Sequence, residues 1–262
     1  MANEQYGFRS SLSTDNASYT FIHEILSAMN NKHTVGGIFC DLSKAFDCVN
    51  HRFLLSKLEH YGIRGTFGAL IKSYFMERYQ RVVIKDKTNT VNYSNWELLK
   101  HGVPQGSILG PLFFLLYIND LPTVTANSAK LVLYADDTSF IITNLNSYNL
   151  IITNNNWHVL YPVGYNPLLD QMNEINWIEL NSSPTEFVNK LNKVLIEVNE
   201  WFKNNLLSLN FNKTTYLQFW TKNSQKLDPN ITLMNNQITN STNTKFLALA
   251  IEEMLSWKCH IN

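Results

Sequence analysis

Leu131-Val-Leu-Tyr-Ala-Asp-Asp-Thr-Ser-Phe-Ile-Ile-Thr143 is two apolar runs broken by a short polar turn. β-branched and aromatic residues dominate both runs. The spacing predicts strands over Leu131–Tyr134 and Ser139–Thr143, joined by a tight turn at Ala135-Asp136-Asp137-Thr138. A second run ends in the same way: Thr34-Val-Gly-Gly-Ile-Phe-Cys40 reads as a buried strand, and Asp41 follows it. A carboxylate beside an apolar strand is costly without a cation, and two adjacent carboxylates repel. Oxygen-only ligands suit Mg²⁺, which keeps waters and substrate phosphates in its shell. Two strands side by side bring Asp41 and Asp136 to one edge, as a two-metal clamp on a phosphoryl displacement requires. The same residues are also ordinary turn chemistry (Asp136 and Asp137) and an ordinary helix cap (Asp41). The aspartates alone do not choose between these readings.

Outward from these strands, residues 1–144 alternate helix and strand. Ser13-Thr14-Asp15 predicts the cap of a helix reaching about Asn31, with Ile22, Ile25, Leu26 and Met29 on one face. His51–Tyr61 has helical spacing at Leu54, Leu55 and Leu58, with Gly62 as its stop. A further helix fits Thr66–Arg78, and Arg81–Lys85 and Trp96–Lys100 read as a strand pair. Ser107–Leu121 is apolar on most sides and predicts a buried helix. Residues 145–182 carry no clear period and read as an irregular insertion, peripheral to the rest. Asparagine marks that shift, with 10 in residues 1–143 and 24 in 144–262. Helical spacing returns from Pro184 to Asn205, followed by a turn and strand over Leu206–Phe219.

Composition narrows the class. The 262 residues carry 21 Lys and Arg against 21 Asp and Glu, so no global charge argues for a polyanionic partner. Only 16% is charged, and that sparseness must be read against 45% hydrophobic residues. Three cysteines are too few and too scattered for a disulfide framework or a Cys-based zinc site, and His51 beside Cys40 and Cys48 is not a zinc spacing. The longest apolar run, Pro111–Ile118, is far short of the roughly 18 residues that cross a bilayer, and the polar start shows no signal peptide. These features lead us to expect an intracellular protein with no membrane partner, in nucleus or cytoplasm.

Taken in order, the blocks at Gln5–Arg9, Phe39–Val49, Gly102–Pro111, Tyr134–Thr138, Trp201–Phe219 and Lys245–Trp257 resemble the reverse transcriptases of non-LTR, LINE- and jockey-like retrotransposons. Gln5-Tyr-Gly-Phe-Arg9 with Ser13-Thr14 looks like the block before the palm. Phe39-Cys-Asp-Leu-Ser-Lys-Ala-Phe-Asp-Cys-Val49 resembles motif A, Gly102-Val-Pro-Gln-Gly-Ser-Ile-Leu-Gly-Pro111 motif B, and Tyr134-Ala-Asp-Asp-Thr138 motif C. Trp201–Phe219, with Asn210-Phe-Asn-Lys-Thr214, resembles motif D, and Lys245-Phe-Leu with Leu255-Ser-Trp257 the segment after it. Group II intron and telomerase-like enzymes fit the Ala-Phe-Asp and Leu-Ser-Trp blocks less well.

The resemblance implies an α+β fold: a right-hand polymerase palm whose antiparallel sheet is flanked by helices, with fingers and thumb incomplete. Residues 1–144 would be the palm with motifs A, B and C, 145–182 the insertion, and 183–262 the end of the palm and start of the thumb side. It implies RNA-directed DNA polymerisation, with an RNA template, a DNA primer and dNTPs as partners. Asp41 and Asp136 would hold two Mg²⁺ ions (Mn²⁺ being the substitute), and Asp137 would support them from the same turn. The primer 3′-hydroxyl would attack the α-phosphate of the dNTP, a reaction governed by positioning and charge neutralisation. Phe46 takes the steric-gate position against a ribose 2′-hydroxyl. Gln105 and Gly106 would contact nucleotide or template, and Lys213 would lie near the leaving pyrophosphate as general acid. Each has a plainer reading: Phe46 as core, Pro104–Ser107 as a loop leading into a helix, Lys213 as a solvated surface lysine. Two departures stand inside the matched region. Residues 145–182 interrupt the passage from motif C to motif D, and Ala248 stands where the family commonly has Gly, which matters if the backbone there needs a positive φ. The alternative function is a catalytically silent retrotransposon fragment, at most a weak RNA-binding module.

Overall fold

The computed structural model describes residues 1–256 except 88, 146, 154–155, 163–175, 182–183, 223, 225, 228, 230 and 235; along 145–181 the description is of the backbone. The chain opens with α1 (Thr14–Asn30), capped by Ser13, whose hydroxyl accepts the Asn16 N–H while the Asn16 side chain accepts the Ser13 N–H. Then come β1 (His33–Cys40), α2 (His51–His60) and α3 (Gly65–Phe75). A ribbon follows, made of β2 (Tyr79–Gln80), β3 (Val83–Lys85), β4 (Val91–Tyr93) and β5 (Glu97–Leu98). After α4 (Leu109–Ile118) and α5 (Leu121–Thr125) the hairpin β6 (Lys130–Tyr134) and β7 (Asp137–Leu145) is formed. Next are β8 (Ser147–Thr153), β9 (Asn156–Pro162), β10 (Asn176–Asn181), α6 (Pro184–Asn204) and β11 (Thr215–Phe219). Short strands close the chain: β12 (Thr232–Leu233), β13 (Asn236–Gln237), β14 (Thr239–Asn240), β15 (Asn243–Phe246) and β16 (Leu249–Glu252).

The central sheet has the order β14-β11-β1-β7-β6, antiparallel throughout except for the parallel β11–β14 edge. The α+β expectation holds, and the three strands expected to be neighbours are neighbours, with β7 between β1 and β6. Alternation along the strands sends their side chains to two separate cores. On one face Ile38, Phe140, Ile142 and Tyr216 meet Leu54 of α2, Phe114 and Tyr117 of α4, and Leu195 and Phe202 of α6. On the other, Val35, Phe39, Ile141 and Phe219 meet Ala17, Phe21 and Ile25 of α1 and Phe246 and Ile251 of β15 and β16. Phe21 is fully buried, 5.4 Å from the Phe39 ring and 4.6 Å from that of Phe246. Burying one such ring stabilises by about 1.5–3 kcal/mol.

The structure corrects four local expectations. The buried stripe of α1 is Ala17, Ser18, Phe21, Ile25 and Ala28, whereas Leu26 is exposed. The reading by bulk was right for Ile25 and partly for Met29, but the stripe is turned toward Phe21 and completed by the small residues Ala17, Ser18 and Ala28. The third helix stops at Phe75, and the chain turns into the ribbon through Glu77 at φ +56°. Arg81–Lys85 and Trp96–Lys100 do not pair with each other: β3 pairs with β4 and β2 with β5. The described part of 145–182 is strand, not irregular loop, with β8 paired to both β9 and β10. Its β-formers (Tyr148, Ile151, Ile152, Trp157, Val159) carry that pattern, hidden in the sequence by interspersed asparagines. Residues 163–175 lie outside the described residues, as does the Trp257 end of the Leu-Ser-Trp block.

Candidate active site

Tyr134 pairs with Asp137, so Ala135 and Asp136 form a two-residue loop at the tip of the β6–β7 hairpin. Ala135 has φ +56°, a left-handed conformation that costs an L-residue about 1–2 kcal/mol. The N-terminal segment holds it there. Leu133 N–H donates to Glu4 O at 2.8 Å and Tyr6 N–H to Leu133 O at 2.8 Å. Gln5, only 2% exposed, accepts the Ala135 N–H on Oε1 at 3.0 Å and donates from Nε2 to Ala135 O at 3.4 Å. The same Oε1 accepts the Gly7 N–H at 2.7 Å. A Cβ on Gly7 would stand 2.4 Å from the Ala135 nitrogen, so only glycine lets the two backbones lie this close. Sequence reading placed Gln5 and Gly7 in a recognisable block but assigned them no role, because the Gln5–Ala135 contact spans 130 residues and leaves no local pattern.

Cys40 pairs with Thr138 in the β1–β7 register, and carrying that register one residue further sets Asp41 opposite Asp137. Both belong to the parity of Phe39 and Ser139, on one face of the sheet. Beyond β1 the ladder is replaced by a partner from motif D: Asn210 N–H donates to Asp41 O at 2.8 Å and Ser43 N–H to Ser208 O at 2.9 Å. Asn210 O then accepts the N–H groups of Lys213 at 3.1 Å and Thr214 at 2.9 Å, closing a tight turn. This turn brings Lys213 Nζ to 3.8 Å from Asp41 Oδ2. Asp41, Asp137 and Lys213 line one cavity of about 290 Å³, completed by Thr215 and the Thr244–Ala248 segment. Asp136 is not part of that lining; it sits in the hairpin loop next to Asp137.

The electrostatics are those of three converging carboxylates. Burial raises the Asp137 carboxyl above its ordinary range, and the negative charges of Asp136 and Asp41 push it further in the same direction. Among the described residues no group of three or more His, Cys, Asp or Glu side chains is placed to hold a metal ion. Mg²⁺ is commonly held by only one or two carboxylates, with water and substrate phosphates completing its shell, and the carboxylate oxygens at this open edge are of that donor type.

The remaining site residues lie on the opposite side of motif A. Phe46, in a short 3-10 turn (Ala45–Cys48), is half-buried and stacks on Phe114 with ring centroids 4.5 Å apart. Its carbonyl accepts the Val103 N–H at 2.9 Å, tying motif A to motif B. Gln105 is exposed and donates from Nε2 to Asp47 Oδ1 at 3.0 Å. Gly106 has φ +78° with open space around it, so its glycine serves the turn and not a close contact within the chain. Gln105 lines another cavity, of about 610 Å³, with Lys44, Asp47, Arg78 and His101. His51 is a packed histidine, 6% exposed with Nε2 2.7 Å from Gly102 O. Ala248, with φ +71°, and Leu247, with φ +46°, form the two-residue loop of the β15–β16 hairpin at the rim of the first cavity. Positive φ at both positions is the pattern of a type I′ turn, which prefers glycine or asparagine.

Comparison with known proteins gives the family and the fold. The family described as Reverse transcriptase (RNA-dependent DNA polymerase) matches residues 1–158, which hold the Asp41 strand, the Gln105 loop and the Asp136-Asp137 turn; Lys213 lies outside the match. The chain is 33% identical over 147 residues to the "Probable RNA-directed DNA polymerase from transposon BS" of Drosophila melanogaster, covering 54% of this chain and 16% of that protein. It is 31% identical over 143 residues to the "RNA-directed DNA polymerase from mobile element jockey" of the same organism, covering 52% and 15%. The chain thus spans about a sixth of the length of these relatives. Among solved structures, apo telomerase from Candida tropicalis shares the fold, with a TM-score of 0.52 at 14% identity over 97% of this chain and 36% of that one. No helix among the described residues is long and apolar enough to cross a membrane. The chain belongs to the reverse transcriptase (RNA-dependent DNA polymerase) family, and the two Drosophila relatives it resembles are polymerases of mobile elements.

Proposed function

We propose that this chain is the nucleotidyl-transfer palm of an RNA-directed DNA polymerase, extending a DNA primer 3′-hydroxyl with dNTPs on an RNA template. The observation that carries the reading is the convergence of Asp41, Asp136 and Asp137 at one sheet edge, with Lys213 facing Asp41. Asp41 and Asp136 would hold two Mg²⁺ ions, and Asp137 would add negative charge beside them. Bound there, the ions would neutralise phosphate charge and favour ionisation of the attacking hydroxyl. The oxygen of the primer terminus forms a bond to the α-phosphorus as the bond to the leaving pyrophosphate breaks. Lys213 Nζ would give its proton to the departing pyrophosphate. Phe46, braced against Phe114, would set the sugar selectivity, and Gln105 would orient the nucleotide or template.

The test is primer extension by the purified chain with an RNA template, a DNA primer, dNTPs and Mg²⁺. Asp41→Asn and Asp136→Asn are the comparisons. Extension by the parent, lost by about a thousandfold or more in either variant, supports the reading. A second reading, a catalytically silent reverse transcriptase fold that at most binds RNA, is favoured by the strained Leu247-Ala248 turn at the cavity rim. It predicts no extension from protein that is folded by circular dichroism.

A further inference from the structure

Residues 78–99 form an arm whose root is closed by the Leu99 N–H donating to Arg78 O at 2.8 Å. Every described residue from Tyr79 to Leu98 is exposed. The cross-strand pairs Val83–Tyr93 and Lys85–Val91 share one face, and Ile84–Asn92 the other. On the first face the Arg81 guanidinium lies over two aromatic rings, 4.2 Å from the centroid of Tyr93 and 4.6 Å from that of Trp96. The rings stay open to solvent, with Tyr93 57% and Trp96 59% exposed. Such rings are normally buried, and here a cation fixes their orientation instead.

Charge points the same way. The arm carries four of the chain's 21 Lys and Arg but only two of its 21 Asp and Glu, a net +2, which leaves the rest of the chain at −2. At its root Arg78 and Gln80 line the 610 Å³ cavity with Lys44, His101 and Asp47, two fixed positive charges against one negative, and that cavity runs to Gln105. Aromatic faces held by arginine and followed by a cationic groove suit bases that stack and phosphates that follow them. A protein partner would explain the aliphatic face of the arm, but not the cationic cavity at its root.

We propose that the 78–99 arm is a stacking platform for single-stranded nucleic acid, passing the strand from Tyr93 and Trp96 along the Arg78–Lys44 cavity toward Gln105. The direction of the strand rests on the polymerase reading above; binding by the arm does not. The test is fluorescence anisotropy of a fluorescein-labelled, unstructured 20-nucleotide RNA with the full chain, without dNTPs or Mg²⁺. Tyr93→Ala with Trp96→Ala should weaken binding by about tenfold or more. Arg81→Ala should lower the slope of log K against log salt by roughly 0.7. Val82→Ser with Ile84→Ser, on the opposite face, should leave binding unchanged. All these positions are exposed, so each variant should keep the parent's melting temperature. If the parent binds and the ring variant binds equally well, the platform is overturned while the polymerase reading stands on its extension assay. Equal loss from the opposite-face variant, or self-association of the parent abolished by Trp96→Ala, would make the arm a protein contact and overturn it too. Absence of RNA binding by the folded parent would do the same.

Discussion

The side-chain amide of Gln5 grips both ends of residue Ala135, accepting its N–H at 3.0 Å and donating to its carbonyl at 3.4 Å. A residue near the chain start thereby fixes the backbone that carries Asp136. Replacing it with leucine leaves the buried Ala135 amide without a partner, at about 1–3 kcal/mol. Gln5→Leu should lower the melting temperature by roughly 2–10 °C, and primer extension should fall by more than the stability loss explains. Thermal unfolding and extension on the same preparation check this.

The Leu247-Ala248 turn should relax when its second residue is glycine. Ala248 has φ +71°, and the left-handed conformation costs alanine about 1–2 kcal/mol that glycine does not incur. Allowing for the greater freedom of glycine in the unfolded chain, Ala248→Gly should stabilise by about 0.5–1 kcal/mol. A melting temperature no higher than the parent's would contradict the strained turn.

Asp137 sets a pH dependence with a definite sign. Its folded-state pKa is raised, by burial first and then by Asp136 and Asp41, so the folded chain holds this proton more tightly than the unfolded chain. Its contribution is fully present below the ordinary carboxylate value of 3.8 and is lost as pH rises through the raised value. Asp137→Asn should therefore be more stable than the parent at pH 7, with the difference vanishing in acid. Mg²⁺ at millimolar concentration should stabilise the parent at pH 7 and the variant less. Denaturant titrations at several pH values would show it.

Lys213 should matter to turnover and not to folding. It is 68% exposed and 3.8 Å from Asp41, so the pair adds little stability. Lys213→Met should keep the parent's unfolding midpoint and lose about a hundredfold in the rate of nucleotide addition, the lower end of general-acid contributions. An unchanged single-turnover rate would remove the lysine from the mechanism.

Phe46 should show two effects at once. Its ring stacks on Phe114, so Phe46→Val should destabilise by about 1–2 kcal/mol. If it is the sugar gate, the same change should raise incorporation of ribonucleotides relative to deoxyribonucleotides by about tenfold or more. Loss of stability with unchanged sugar selectivity would leave Phe46 a core residue.

Much of the site was legible because its residues lie at the ends of strands that the sequence announces. Runs such as Leu131–Tyr134 and Thr34–Cys40 are locally β-rich, and the chain must expose whatever polar residue ends them. Asp41, Asp136 and Asp137 could be singled out on that ground before any strand was placed beside another, and the family resemblance then preferred a site over turn and cap chemistry. Three features were not legible. The buried face of α1 is completed by small residues, which apolar bulk does not mark. The pairing within the 78–99 arm depended on a register that local pattern does not set. The strands of 147–181 were obscured by asparagines.

The sequence by itself determined the family, the strand–turn–strand around Asp136 and Asp137, and the identity of the acidic and basic groups. The tertiary structure decided who meets whom: Asp41 within charge-coupling reach of Asp137, Lys213 turned back onto Asp41, Gln5 clamped on Ala135, and Arg81 over Tyr93 and Trp96. The reason is physical. Hydrophobic period and turn propensity are local and act within a few residues, so one sequence displays them. Contacts between residues 5 and 135, or 41 and 213, exist only because the sheet order β11-β1-β7-β6 brings distant segments together, and that order is set by how both faces of the sheet are buried at once.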